Sequence, residues 1–202
     1  MTEEKRAYRK RRRAELEEIT RLRITESAVQ LHGTLGPSRT SVRALAEHAG
    51  VRRSTVYRHF PDEAAILNAC TAHWLAGNPF PDLASWSRIS DADARLSRGL
   101  QELYAHYRRT QRMMDNVLRD ETTMPAVKRM LGGYRQYLSH AQEALVKGRP
   151  GRALVRRLVH ASIGHALAFY TWRSLAIEQG LDDTEGAQMM CLLIITAGQS
   201  NV

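Results

Sequence analysis

Residues 41–60 read SVRALAEHAGVRRSTVYRHF, and this stretch decides the fold. Thr40-Ser41 supplies an N-cap for a short helix over Val42–His48. Ala49-Gly50-Val51 makes a tight turn, and a second short helix runs from Arg52 to His59. Two helices joined so closely cross steeply, and the crossing dictates residue types. The first helix needs a small residue where the second packs on it, which Ala46 provides. The turn needs a residue tolerant of positive φ, which Gly50 provides. Val42, Leu45, Ala49, Val51 and Val56 are the apolar positions that tie both helices to a core. What remains on the second helix is polar: Arg52, Arg53, Ser54, Thr55, Tyr57, Arg58 and His59. That is the composition of a helix that enters a DNA major groove.

On the amino-terminal side, Ile24, Ala28, Leu31 and Leu35 mark one face of an amphipathic helix, ended by Gly36 and Pro37. Ahead of it, residues 5–13 read KRAYRKRRR, seven basic residues in nine. Two readings stand: a solvated tail, or an arm that tracks phosphate or enters an adjacent minor groove. Residues 1–60 hold 14 Lys and Arg against 7 Asp and Glu, whereas the remainder holds 16 against 14. The net charge of +9 is therefore concentrated in the first third, as in a polyanion-binding end joined to a near-neutral body. A membrane-surface helix would set large apolar residues opposite its basic face. Residues 41–60 offer mainly small ones, so the pattern favours double-stranded DNA and no membrane.

On the carboxyl side, Pro61-Asp62 opens a helix through Ala65, Ile66, Ala69 and Cys70. Residues 77–90, with three breakers and no clean period, read as a connector. Leu96, Leu100, Leu103 and Tyr107 mark a helix of roughly five turns, with Asp91 near its start and a separate short segment at Met113–Arg119 after it. A helix from Pro125 to Val146 has a weak point at Gly132-Gly133. Two apolar helices over 152–178 and 184–198 close the chain, with Asp182-Asp183 in the N-cap region of the last. No stretch alternates with period two. The expectation is an all-α protein of roughly nine helices, with a basic extension at 1–18, a three-helix DNA-binding head at 19–66 and a ligand-binding and dimerisation body at 67–202.

One short recognition helix covers few base pairs, so a two-fold homodimer is expected. Residues 153–172 and 187–198 are apolar enough to need burial in the core or by a partner. No Gly-rich phosphate loop or metal-spaced cluster of His and Glu is present, so neither an enzyme, a cofactor nor a metal site is expected. Cys70 and Cys191 match no disulfide or metal spacing and read as reduced thiols. The charged N-terminus is unlike a signal peptide, and the chain reads as cytoplasmic.

Residues 36–67, GPSRTSVRALAEHAGVRRSTVYRHFPDEAAIL, resemble the DNA-binding head of the tetracycline-repressor family. The Thr-Ser-Val-Arg start, the Ala-Gly-Val turn and the Thr-x-Tyr-x-His-Phe ending stand nearly intact. The resemblance implies that Arg43 reads bases or clamps phosphate from the first helix. It places Arg53, Ser54 and Thr55 near base edges, and Tyr57 and His59 on phosphates. Thr40 and Ser41 can donate to phosphate at a helix N-terminus. It further implies a repressor that binds a palindromic operator as a four-helix-bundle homodimer and is released by a small apolar or aromatic effector. The ligand candidates are Trp74, Tyr104, Tyr107, Met113, Met114, Tyr134, His165, Phe169 and Trp172. Two alternatives remain, a ligand-independent DNA binder and a regulator controlled by a protein partner. Glu63 stands where the family usually has a phosphate-binding lysine. His32 replaces a common aromatic, with Leu35 expected to fill some of the lost core volume.

Overall fold

A computed structural model describes residues 3–199; the remaining residues of the expected extension and body, 1–2 and 200–202, lie outside it. The helices are α1 (Glu3–Thr34), α2 (Val42–His48), α3 (Arg53–His59), α4 (Glu63–Gly77), α5 (Leu83–Ser87), α6 (Ala92–Asp120), α7 (Pro125–Met130), α8 (Gly132–Val146), α9 (Ala153–Leu167), α10 (Phe169–Arg173) and α11 (Asp183–Gln199). A 3-10 turn at Pro37–Arg39 and a π turn at Ser174–Glu178 complete them. There is no strand among the described residues. Two compact units result. One takes the chain as far as Gly77 together with Asp115–Met130, and the other takes Asn78–Met114 and the chain from Leu131 on.

The first unit is built on a small core of Ile24 and Ala28 from α1, Leu45, Ala46 and Ala49 from α2, Val56 and Phe60 from α3, and Ile66 and Cys70 from α4. Gly50 has φ +62, the left-handed conformation that the tight turn requires of it. Ser41 Oγ accepts from the Ala44 amide at 3.1 Å and caps α2, and Asp62 Oδ1 accepts from the Ala65 amide at 2.8 Å ahead of α4. The loop after α1 is clamped by the end of α6. Asn116 Nδ2 donates to the His32 and Gly33 carbonyls at 3.1 and 3.0 Å. Arg119 donates to the Leu35 carbonyl at 3.0 Å, and Asp120 accepts from the Ser38 amide at 2.9 Å. Carbonyls orphaned at the end of α1 thereby gain partners.

Several elements differ from the expectations. The basic run is not an irregular tail, because α1 begins at Glu3 and carries it in helix. Lys, Arg and Ala are strong helix formers, and Arg11–Glu15 and Arg13–Glu17 add pairs one turn apart at 3.4 and 3.1 Å. The connector contains α5, capped by Asp82 Oδ1 on the Ala84 amide, and buries Trp86 completely. Met113–Arg119 is not a separate segment but the last turns of α6. The helix expected over Pro125–Val146 breaks at Leu131, next to the weak Gly pair. The one expected over 152–178 breaks at Ala168, which is extended at ψ 135. Leu35 fills no core volume, since it is 41% exposed. His32 itself is buried, its Nδ1 lying 3.4 Å from Cys70 Sγ. Burial pushes its pKa down to about 4 against the raising influence of Asp120.

The second unit is organised by the face of α6 carrying Leu96, Leu100, Leu103, Tyr104 and Tyr107, all fully buried. α8 packs on both α5 and α9, and α9 on α11. Arg95, also buried, donates to the carbonyls of Ile89 and Lys147, while Arg149 reaches the Ala92 carbonyl at 2.7 Å and Asp93 at 2.8 Å. These bonds lace the start of α6 to the chain after α8. α11 opens with a capping box in which Asp182 Oδ1 accepts from the Thr184 and Glu185 amides and Glu185 accepts from the Asp182 amide.

Candidate nucleic-acid interface and aromatic cluster

Val56 anchors α3 to the core, which turns the other residues of this two-turn helix outward. Arg52 is its N-cap, so Arg53 and Ser54 lie in its first turn, both exposed, with Thr55 half-buried beside them. Tyr57 is 49% exposed. His59 is half-buried, and its Nε2 is enclosed without a hydrogen-bond partner. On α2, Arg43 is exposed and shares its Nε–H with Glu47 at 2.8 Å. Glu47 raises the Arg43 pKa further, first by that hydrogen bond and then by its charge. The terminal guanidinium nitrogens are outside this bond.

Thr40 and Ser41 are differently placed. Thr40 spends its hydroxyl proton on the Gly36 carbonyl at 2.8 Å, whereas Ser41 caps as an acceptor and keeps its own proton to donate. Glu63 shares the rim of a cleft of about 170 Å³ with both of them. A carboxylate there faces the same approach as the two hydroxyls and opposes a phosphate electrostatically. Arg21 of α1 lies over the Phe60 ring at 5.0 Å, which sets α1 against the end of α3.

In the second unit, an aromatic cluster gathers several of the ligand candidates. Tyr107 stands edge-on to Phe169 at 5.3 Å and tilted to Trp172 at 5.9 Å. Tyr107 donates to the Leu167 carbonyl at 2.7 Å, which leaves Tyr134 to donate to Tyr107 across 2.8 Å. Tyr104 donates to the Ala166 carbonyl at 3.0 Å and Thr171 to the His165 carbonyl at 2.6 Å. Three successive carbonyls at the end of α9 are thus satisfied by side chains, which is what permits a break in the middle of a buried segment. Trp172 Nε1 and Arg108 both donate to Asp183, at 3.0 and 2.9 Å.

Of the remaining candidates, only His165 touches these contacts, through its carbonyl and its ring against Thr171. Met114 is buried and Met113 half-buried on α6, the His165 residue is exposed, and Trp74 belongs to α4 in the first unit. Three members of the cluster, Phe80, His106 and Tyr137, escaped sequence reasoning. Phe80, from the supposed connector, stacks on Tyr137 at 4.5 Å and lies 5.0 Å from His106. His106 is fully buried, and neither ring nitrogen has a hydrogen-bond partner. Burial first, and then the charge of Arg109, pushes its pKa down to about 4 against the Pro79 backbone. Its register was the available signal, because it shares the inward face of α6 with Leu103 and Thr110. A neutral imidazole enclosed by rings retains hydrogen-bonding capacity for an uncharged polar group. Among the described residues no group of His, Cys, Asp and Glu could hold a metal ion. Both cysteines are buried and free, and burial pushes their pKa values up, to about 12 for Cys70 and about 11 for Cys191.

A helix-turn-helix whose polar face is open, joined to an all-helical unit with an aromatic interior, defines a helical DNA-binding regulator. Residues 24–70 match the family model of bacterial regulatory proteins, tetR family. Solved structures share the fold. A TetR-like transcriptional regulator from a Rhodococcus species superposes with a TM-score of 0.63 at 15% identity, over 90% of this chain and 97% of the other. The transcriptional regulator FadR from Bacillus subtilis, solved in complex with stearoyl-CoA, gives 0.61 at 16% identity over 87% and 98%. NalD from Pseudomonas aeruginosa, the secondary repressor of the MexAB-OprM multidrug efflux pump, gives 0.59 at 21% identity over 91% and 97%. No curated protein matches the chain in sequence.

Proposed function

We propose that the protein is a transcriptional repressor that binds a palindromic operator as a homodimer and is released by a small ligand. The observation that carries this reading is the head itself: α3 presents Arg53, Ser54, Thr55 and Tyr57 on an open polar face while Val56 and Phe60 fix it from behind. Arg53 is assigned to base edges, with Arg43, Ser41, Tyr57 and His59 fixing register on phosphates. Thr40 can join them only by turning its hydroxyl proton from the Gly36 carbonyl to a phosphate oxygen. Such a regulator acts on the chromosome, in the cytoplasm.

Support for the homodimer comes from α9 and α11, which pack on each other and each expose an apolar stripe. Leu154 and Leu158 on α9 and Met189, Leu192 and Leu193 on α11 are all more than 40% exposed. Two adjacent stripes form a patch that a second copy can cover by two-fold symmetry. The ligand is assigned to the aromatic cluster around Tyr107, Tyr134, Phe169 and Trp172, and is an uncharged aromatic or apolar molecule. Coupling of about 1–3 kcal/mol between ligand and operator gives roughly 5- to 150-fold release.

The experiment is to select tight-binding duplexes from a random pool and titrate them with the protein at several salt concentrations. Recovery of a palindrome supports the reading. Salt-sensitive binding with no preferred sequence replaces it with a non-specific DNA binder, and absence of DNA binding ends it.

A further inference from the structure

We infer that the amino-terminal half of α1 is a second DNA-binding element, a basic helix laid on phosphates that flank the site read by α3; this rests on the DNA-binding function proposed above. The helix continues without a break from Lys5 to the core residues Ile24 and Ala28, so the basic segment is a continuous helical extension of the head. At a rise of about 1.5 Å per residue, residues 5–20 extend roughly 24 Å from the head. Their departure point is fixed by Arg21 over Phe60, at the end of the recognition helix. The segment therefore leaves the head close to Phe60, the residue that caps the end of α3.

Charge and helical register agree with a phosphate partner. Lys5, Arg9 and Arg12 fall in one row along α1, and Arg6, Lys10 and Arg13 in the neighbouring row. Six of the seven basic residues of this run thus share about half of the helix circumference. The seventh, Arg11, lies on the other side and pairs with Glu15. The Arg13–Glu17 pair is exposed at both ends and gives way to a phosphate at little cost.

An anionic membrane is the competing partner for a basic helix with exposed Tyr8, Leu16, Ile19 and Leu22. The apolar residues are sparse, however, and Glu15 and Glu18 line the same shallow surface as Ile19 and Leu22. Carboxylates beside the apolar strip oppose anionic lipid, whereas the basic rows carry a carboxylate only toward their end, at Glu17.

The test is a full-length variant with Lys5→Gln, Arg9→Gln, Lys10→Gln and Arg12→Gln. Glutamine keeps helix propensity, all four positions are exposed, and far-UV circular dichroism checks that the helix remains. Wild type and variant are titrated against the selected operator, with and without flanking duplex, across a series of salt concentrations. Each lost phosphate contact flattens the log–log salt dependence by about 0.9, so the dimer's slope should fall by about 2 or more, with affinity at low salt down at least about tenfold. The preferred sequence should not change, and removing the flanks should abolish the difference. Equal slopes, with wild type still selective for its operator, overturn this inference and leave the proposed function standing. If wild type binds no DNA, both fall together. Unchanged DNA binding with loss of binding to phosphatidylglycerol vesicles assigns the helix to lipid and overturns it as well. A change in dimer mass by sedimentation with an unchanged slope assigns it to self-association, with the same consequence.

Discussion

The Tyr107 hydroxyl donates to the Leu167 carbonyl across 2.7 Å, at the point where α9 breaks and α10 begins. Tyr107 is also the acceptor for Tyr134, so one phenol satisfies a backbone orphan and a neighbouring side chain together. Tyr107→Phe keeps the ring contacts with Phe169 and Trp172 and removes only the oxygen. A buried carbonyl and the hydroxyl of the half-buried Tyr134 then lose their partner, at a cost of about 1–3 kcal/mol each in unfavourable cases. Urea unfolding should show a destabilisation of about 2 kcal/mol. Adding Tyr134→Phe should cost less in the Tyr107→Phe background than in wild type, because the two hydroxyls form one chain. Strict additivity would contradict the directional relay.

Stability should decline between pH 6.5 and about 4. His32 and His106 are both held neutral in the folded state with pKa values lowered to about 4. The unfolded chain binds protons at the ordinary histidine value near 6.5, so in this window it holds more protons than the folded one and stability falls with acid. Above pH 6.5 both states are neutral, and below about 4 the effect levels off. Each group contributes on the order of 2–3 kcal/mol. Urea midpoints at pH 7 and pH 4.5 measure the slope, and His106→Phe should reduce it by about half. An unchanged slope in that variant would show that His106 is not the buried neutral group described.

Arg53→Ala and Tyr57→Phe should separate base reading from positioning. Arg53 carries the donors that suit guanine, worth about 1–3 kcal/mol of discrimination, so its loss should relax the preferred sequence at one position of each half-site. Tyr57→Phe should weaken binding to all sequences alike. Competitive selection with each variant is the readout. Equal relaxation by both would reject the division of roles.

Glu63→Lys should tighten DNA binding. The carboxylate lines the same cleft rim as Ser41 and Thr40, so reversing its sign replaces repulsion of a phosphate with attraction. An added phosphate contact steepens the salt dependence by about 0.9 per protomer. Titration at two salt concentrations checks this, and weaker or unchanged binding would place Glu63 away from the DNA.

Leu192→Arg with Leu193→Arg should yield monomers. These residues are 67% and 53% exposed, so the substitutions disturb no packing within the chain. Sedimentation velocity should report half the wild-type mass with unchanged helicity. A dimer that persists would mean that another face mediates association.

The head was legible in the sequence because its constraints are local. Ser41 as N-cap, Gly50 in the turn and Val56 as anchor each follow from chemistry within a few residues, and α2 runs from Val42 to His48 as the pattern requires. The aromatic cluster was legible in part. Tyr104, Tyr107, Phe169 and Trp172 declare themselves as large apolar side chains at helical spacing, but Phe80 sits among breakers and His106 reads as polar. The break at Ala168 was not legible, since its partners Tyr104 and Tyr107 lie some sixty residues away and no local signal marks it. The continuity of α6 through Met113–Arg119 and the clamp by Asn116, Arg119 and Asp120 were hidden for the same reason.

That clamp bears on how such a protein can be divided. Residues 24–70 carry the family signature, yet the loop between α1 and α2 is held by three side chains from positions 116, 119 and 120. A gene fragment stopping at Gly77 would keep every side chain proposed to contact DNA and lose the braces on the loop that precedes α2. The head is thus not an interchangeable cassette. Fusing it to a foreign sensor should succeed only where the graft supplies a carboxylate for Ser38 and donors for the end of α1, and swaps between relatives should respect this dependence before any concern for the linker.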